Sequence, residues 1–223
     1  LAILTPSAGS PEALLRKYLP ELGLIADARL VDALAGFLRL LDKWNQAFNL
    51  TSIRDPGEMV VRHVLDSLSA RQFLQGRRVL DVGCGAGLPG IPLALADPER
   101  SFTLLDSGLK KVRFVRQAIG ELRISNACAV QARIEDYAPM QLFDTVISRA
   151  FAALPDFING AGKLVAPGGR LLAMKGRLPA DELEAVPEGW LAEAVTPVQV
   201  PGLDAERHMI VLSRLAGGGG TAS

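Results

Sequence analysis

From residue 77 onward the chain alternates short apolar runs with amphipathic stretches, and the first run ends in a glycine loop. Val79-Leu80-Asp81-Val82 passes directly into Gly83-Cys84-Gly85-Ala86-Gly87-Leu88-Pro89-Gly90. A brief apolar run bounded by glycine is how a strand buried on both faces reads. Helical spacing at 89–96 and 110–122 separates it from further runs at 102–105, ending in Asp106, and at 127–130. Another strand is predicted at 143–148, a helix at 154–164, and a strand at 170–175 after the turn Pro167-Gly168-Gly169. Residues 193–200 and 208–214 read as a closing antiparallel pair. This alternation predicts a doubly wound, Rossmann-like α/β fold, its sheet mostly parallel and covered by helices on both faces.

Ahead of that core the pattern is helical. Leu30, Leu34, Phe37, Leu38, Leu41 and Trp44 recur at spacings of three and four, one face of an amphipathic helix. Asp55-Pro56 offers an N-cap and a first-turn proline before helical spacing resumes over 58–73. The expected organisation is therefore a helical extension over 1–75, the α/β core over 76–215, and a disordered glycine-rich tail over 216–223. With 49% hydrophobic residues and 24 basic residues against 24 acidic ones, an intrinsically disordered chain and a uniform polyanion binder are both excluded. Cys84 and Cys128 are too few and too far apart for a disulfide framework or a metal cluster, so a reducing cytoplasm and no metal are expected. No apolar run approaches the length of a membrane span, and Leu1–Leu4 is too short for a signal-peptide core. The expectation is a monomer that does not engage membranes.

Two ligand classes suit the glycine loop. Gly85, Gly87 and Gly90 match the G-x-G-x-x-G dinucleotide fingerprint, with Asp106 at about the right distance for a ribose. Asp81 followed by Gly83, Gly85 and Gly87 also matches the acidic-x-G-x-G-x-G loop of S-adenosylmethionine-dependent methyltransferases. A pyrophosphate would meet the like charge of Asp81, whereas a sulfonium and an ammonium would be favoured by it. Asp106 could serve either ligand. Charge therefore favours S-adenosylmethionine, with Asp81, Gly83, Gly85, Gly87 and Asp106 as its candidate contacts.

Further motifs narrow the choice. Trp44-Asn45 with Asn49-Leu50-Thr51, Arg62-His63 with Leu65-Asp66-Ser67, the glycine loop, Leu104-Leu105-Asp106-Ser107, Ser148-Arg149-Ala150-Phe151 and Glu206-Arg207-His208 together resemble the ribosomal RNA small subunit methyltransferase G family. That family is also called glucose-inhibited division protein B. The resemblance runs from about residue 41 to 215. It implies a class I methyltransferase fold and transfer of a methyl group from S-adenosylmethionine to N7 of one guanosine in 16S ribosomal RNA, with naked RNA or a small-subunit particle as the partner. Carried over by position, it adds Leu88, Ile134, Glu135 and Arg149 to the donor contacts and includes Gly83.

The residue types suit that chemistry. Guanine N7 presents a lone pair, so a methyltransferase acting there must position and dehydrate its reactants and needs no general base. The Asp/Asn-Pro-Pro-Tyr/Phe run of exocyclic-amine methyltransferases does not follow the fourth strand; Ser148-Arg149-Ala150-Phe151 stands there instead. Arg149 and Lys175, each at the carboxyl end of a predicted strand, are the candidate catalytic residues, and Phe151 could stack on the base or belong to the core. Residues 101–133 carry Lys110, Lys111, Arg113, Arg116, Arg123 and Arg133 against Asp106 and Glu121. Lys110, Arg113 and Arg116 share helical spacing and are the candidate RNA-binding residues. His63 and His208 are expected to hydrogen-bond locally.

Overall fold

The computed structural model describes residues 9–149, 151 and 153–215. The expected tail at 216–223 lies outside the described residues. Seven strands form one sheet in the order β3-β2-β1-β4-β5-β7-β6. They are β1 Arg78–Val82, β2 Ser101–Asp106, β3 Ala127–Gln131, β4 Phe143–Ser148, β5 Val165–Lys175, β6 Trp190–Pro197 and β7 His208–Arg214. β1 to β5 are parallel, and β7 runs antiparallel between β5 and β6. Chain order reverses between β1 and β4, so the carboxyl ends of those two strands flank the switch point where open α/β sheets bind ligands.

Alternation along the strands sorts the core into two layers. Val79, Phe102, Leu104 and Leu172 face one side, where α5 (Gly90–Ala96) and α6 (Leu109–Glu121) lie. Leu80, Val82, Leu105, Val146 and Leu171 face the other, covered by α7 (Leu154–Ala161). The N-terminal helices join the first layer: α1 (Pro11–Tyr18) contributes Leu15, and α2 (Ala28–Phe48) contributes Leu34, Phe37 and Leu41 to the same apolar cluster. Phe37 and Trp44 of α2 meet Phe114 of α6 at ring separations of 6.2 and 5.6 Å. Phe37, Phe102, Phe114 and Phe157 are fully buried, each contributing about 1.5–3 kcal/mol of apolar burial. Caps fix the helix starts: Asp27 accepts from Leu30 N at 2.7 Å, and Asp55 accepts from Glu58 N at 2.8 Å.

Three local expectations need correction. Residues 58–73 are not one α-helix. A short α3 (Pro56–Met59) opens into a π-helical turn at Val60–Leu65, returns to α4 (Asp66–Ser69) and ends in a 3-10 turn at Ala70–Phe73. The apolar spacing at Val61, Val64, Leu65 and Leu68 reports helicity but not the widened turn. β5 begins at Val165, not at 170: Pro167-Gly168-Gly169 is an irregularity within the strand, where pairing with β4 shifts register between Phe143 and Thr145. β6 lies three residues before the expected 193–200, because this edge strand has no fully buried side chain to mark its register. A short α8 (Ala180–Glu184) had no counterpart among the expected elements.

Candidate active site

β1 delivers Asp81 to the switch point and the glycine loop folds over the end of β2. The N–H groups of Gly83 and Cys84 both donate to Leu105 O, at 2.8 and 3.1 Å. Gly83 and Gly87 have φ of 68° and 76°, a region where glycine carries no steric penalty. Gly90 is demanded by contact instead: a Cβ there would lie 2.8 Å from both Asp81 Oδ2 and a Leu104 methyl. Its N–H donates to Asp81 Oδ2 at 2.8 Å, so Asp81 sits under the start of α5.

Asp81 is fully buried, and its Oδ1 has no hydrogen-bond partner. Burial pushes its pKa up from 3.8 to about 7, against the opposing Gly90 hydrogen bond and the positive charge of Arg149, and with help from Asp106. Asp106 ties the loop to α6: Oδ2 accepts from Gly85 N at 2.9 Å, Oδ1 from Gly108 N at 2.8 Å, and Lys111 Nζ lies 3.6 Å away. Cys84 is buried, and desolvation followed by the charges of Asp81 and Asp106 raises its thiol pKa well above the usual value, which disfavours the thiolate a nucleophile needs.

Two clefts open beside this frame. The first, about 340 Å³, is lined by Gly83, Asp106, Lys111, Ile134, Glu135 and Phe151, a volume suited to a small-molecule ligand. A Cβ placed on Gly83 would meet nothing within 4 Å, so the cleft reaches the loop backbone. Of the expected donor contacts, Gly83, Asp106, Ile134 and Glu135 meet on its wall. Asp81, Gly85, Gly87 and Leu88 are not on that wall; the bonds of Asp81 and Gly85 place them in the frame behind it.

Arg149 and Lys175 line the second cleft, about 310 Å³, together with Arg62, His63, Asp66 and Arg207. Arg149 Nη1 donates to Arg62 O at 3.1 Å and lies 3.5 Å from Asp66 Oδ2; Arg207 Nε donates to Asp66 Oδ1 at 2.7 Å. Lys175 Nζ donates to Glu182 Oε2 at 2.8 Å and to Phe151 O at 3.4 Å. Phe151 also borders the first cleft; its ring packs 5.1 Å from that of Phe157, while its carbonyl meets Lys175. His63 Nε2 pairs with Thr51 Oγ1 at 2.9 Å, and its buried Nδ1 has no partner. Burial, then the charge of Arg149, lowers its pKa from 6.5 to about 4, so the ring is neutral at physiological pH.

Lys110, Arg113 and Arg116 are all exposed on α6. Lys110 Nζ sits 6.0 Å over the half-exposed ring of Phe48, and the cation of α6 that reaches the first cleft is the neighbouring Lys111. Arg62, Asp66 and Arg207 were part of the sequence resemblance, but nothing in their spacing assigned them a role or joined them to Arg149. A larger depression of about 810 Å³ between Glu21 and residues 197–208 has neither the glycine loop nor Asp106 in its walls. Among the described residues no group of three or more histidine, cysteine or acidic side chains is placed to hold a metal, and no helix is long and apolar enough to cross a membrane.

A family model described as rRNA small subunit methyltransferase G matches residues 31–211. The chain belongs to that family. The ribosomal RNA small subunit methyltransferase G of Nitrosococcus oceani is 52% identical over 201 residues, 90% of this chain and 94% of the relative. The family member from Idiomarina loihiensis is 50% identical over 190 residues, 85% and 92% of the two chains. Among solved structures, the glycopeptide N-methyltransferase MtfA complexed with S-adenosylmethionine is similar at a TM-score of 0.57 and 15% identity, covering 67% of this chain and 87% of that one. TrmN from Thermus thermophilus gives a TM-score of 0.53 at 22% identity, covering 70% and 53%. Identities this low speak to fold alone, and the shared fold is that of class I S-adenosylmethionine-dependent methyltransferases.

Proposed function

We propose that this member of the family transfers a methyl group from S-adenosylmethionine to N7 of one guanosine in 16S ribosomal RNA. The observation that carries the reading is the pairing of two unlike clefts at one switch point. One is sized for a small molecule and holds Asp106; the other gathers Arg62, Arg149, Lys175 and Arg207.

The residues fit the donor. The position beside Gly83 is open, so the loop backbone is available to the ligand, and the fully buried Asp81, whose Oδ1 has no partner, would act on a cationic ligand as a charge behind the loop. Asp106 would accept the ribose hydroxyls; its oxygens already take two N–H bonds, and each keeps a further lone pair. Ile134 supplies an apolar wall, and Lys163 Nζ holds the adjoining backbone by donating to Glu135 O at 2.5 Å. When bound, the donor supplies an electrophilic methyl on a positively charged sulfur.

The second cleft would receive the nucleotide. Its arginines and lysine suit phosphate and guanine O6, and a planar guanidinium can orient the base through O6 while leaving N7 free. His63, with a pKa of about 4, is a poor proton acceptor at neutral pH, which agrees with a nucleophile that loses no proton. Arg149 would therefore position and take no proton. The exposed Lys110, Arg113 and Arg116 would meet flanking phosphates. Supplying tritiated donor with unmethylated 16S RNA, 23S RNA or small-subunit particles tests the substrate. Label confined to the small-subunit RNA supports the proposal, and equal label in both RNAs contradicts it.

A further inference from the structure

We propose that Asp66 is the positioning residue of the second cleft: its one carboxylate holds Arg149 and Arg207 in register, so that the helical extension sets where both guanidinium groups point. This rests on the reading of that cleft as the RNA site. The Asp66 side chain is 5% exposed and follows directly on the π-helical turn. Oδ1 accepts from Arg207 Nε at 2.7 Å, while Oδ2 lies 3.5 Å from Arg149 Nη1. Its backbone is anchored too, with Ser69 Oγ donating to Asp66 O at 2.6 Å.

The strand ladders set the backbone spacing of the two arginines through β5 but leave their guanidinium groups unjoined. Arg149 follows β4 and Arg207 precedes β7, and β5 lies between those strands. What joins them is the carboxylate. Arg149's other contact, Arg62 O at 3.1 Å, comes from the same π turn, so its guanidinium is tied to the extension twice. Charge points the same way. Arg62, Arg149, Lys175 and Arg207 converge on the cleft, and among the described residues Asp66 is the one carboxylate in its walls. Lys175 has Glu182 as its partner, at 2.8 Å. Without Asp66, two half-buried guanidinium groups would face each other uncompensated and turn outward to water. Asp66 is absent from the walls of the donor cleft, so its removal is expected to act chiefly on the RNA.

The test uses the full chain, small-subunit RNA lacking the methyl group, and Asp66→Asn and Asp66→Glu, with RNA affinity, kcat, KM, donor affinity and thermal unfolding measured for each. Asp66→Asn is expected to lower kcat/KM for RNA on the order of 30-fold or more, and to weaken RNA binding, with donor affinity within about twofold of wild type. Asp66→Glu, which keeps the charge, is expected to recover part of the loss. In an Arg149→Ala/Arg207→Ala background, Asp66→Asn should add almost nothing, because the groups it acts through are gone. The same loss in that background, or an Asp66→Asn enzyme with wild-type kcat/KM and RNA affinity, overturns the proposal. Donor affinity and RNA affinity falling together with the unfolding temperature would also overturn it, since that is the mark of a general structural role. A wild-type chain that methylates no RNA refutes the functional reading instead; RNA affinity then still decides the clamp, and equal binding by wild type and Asp66→Asn refutes it.

Discussion

Lowering the pH from about 8 to about 5.5 should weaken S-adenosylmethionine binding about 30-fold through one buried carboxyl. Asp81 has a pKa raised to about 7 because burial penalises its charged form, and its Oδ1 has no partner. A sulfonium and an ammonium arriving nearby favour the ionised carboxylate, so below pH 7 binding must expel its proton. Each pH unit then costs about 1.4 kcal/mol, a factor of about ten. Isothermal titration calorimetry in buffers of different ionisation enthalpy reads both quantities, and near pH 6 about one proton should leave per donor bound. The donor's own amino group titrates at about 8, and Asp81→Asn in the same buffers removes that contribution by subtraction. The variant should bind more weakly at the upper end of the range and should lack the acid-side loss. A wild-type affinity flat to within twofold, with no proton released, would refute the electrostatic argument for the donor.

Asp81 and His63, both buried, should pull stability in opposite directions with pH. Asp81's raised pKa gives stability that is full below about 3.8 and lost as pH rises through about 7, worth about 4 kcal/mol. His63's lowered pKa gives stability present above 6.5 and lost as pH falls through about 4, worth about 3 kcal/mol. Denaturant titrations should therefore show the stability of Asp81→Asn relative to wild type falling on acidification and that of His63→Gln relative to wild type falling toward neutrality; parallel difference curves for the two variants would contradict both assignments. Reversing Lys110, Arg113 and Arg116 to glutamate should weaken RNA binding and flatten its salt dependence while leaving donor affinity nearly unchanged, and filter binding across a salt series reads both effects. Arg149→Ala should reduce turnover by roughly 10²-fold at saturating donor, with Arg149→Lys recovering part; near-normal turnover in the folded alanine variant would remove this arginine from the mechanism.

The sheet was legible wherever strands are buried on both faces. Val79–Val82 and Phe102–Leu105 read as largely apolar runs because packing on two layers leaves little room for polar alternation, and in Phe143–Ser148 the buried Val146-Ile147 pair carries the same signal. β6 was misplaced because Leu191 and Val195 point outward while smaller Ala192 and Ala194 face in, reversing the usual signal. In the site, the glycine loop and Asp106 were readable because their spacing is local. Their mutual bond, Gly85 N to Asp106 Oδ2, spans two strands and was not. The second cleft escaped for the same reason. Arg62 and Asp66 lie in the extension, Arg149 follows β4, Lys175 ends β5 and Arg207 precedes β7, and only the fold brings them to one point. The π turn that aims Arg62, His63 and Asp66 has no sequence signature, since its apolar spacing is that of an ordinary helix.

Borohydride reduction followed by aniline cleavage, applied to unmethylated 16S ribosomal RNA incubated with the purified chain and S-adenosylmethionine, bears most directly on the transfer itself, because it cuts at guanosine methylated on N7 and not at guanosine methylated on N1, N2 or the ribose. A single new break at one guanosine, absent without donor and strongly reduced with Arg149→Ala, is the expected result. Methyl incorporation without cleavage would place the group on N1, N2 or a ribose and contradict a reaction that proceeds without a proton acceptor.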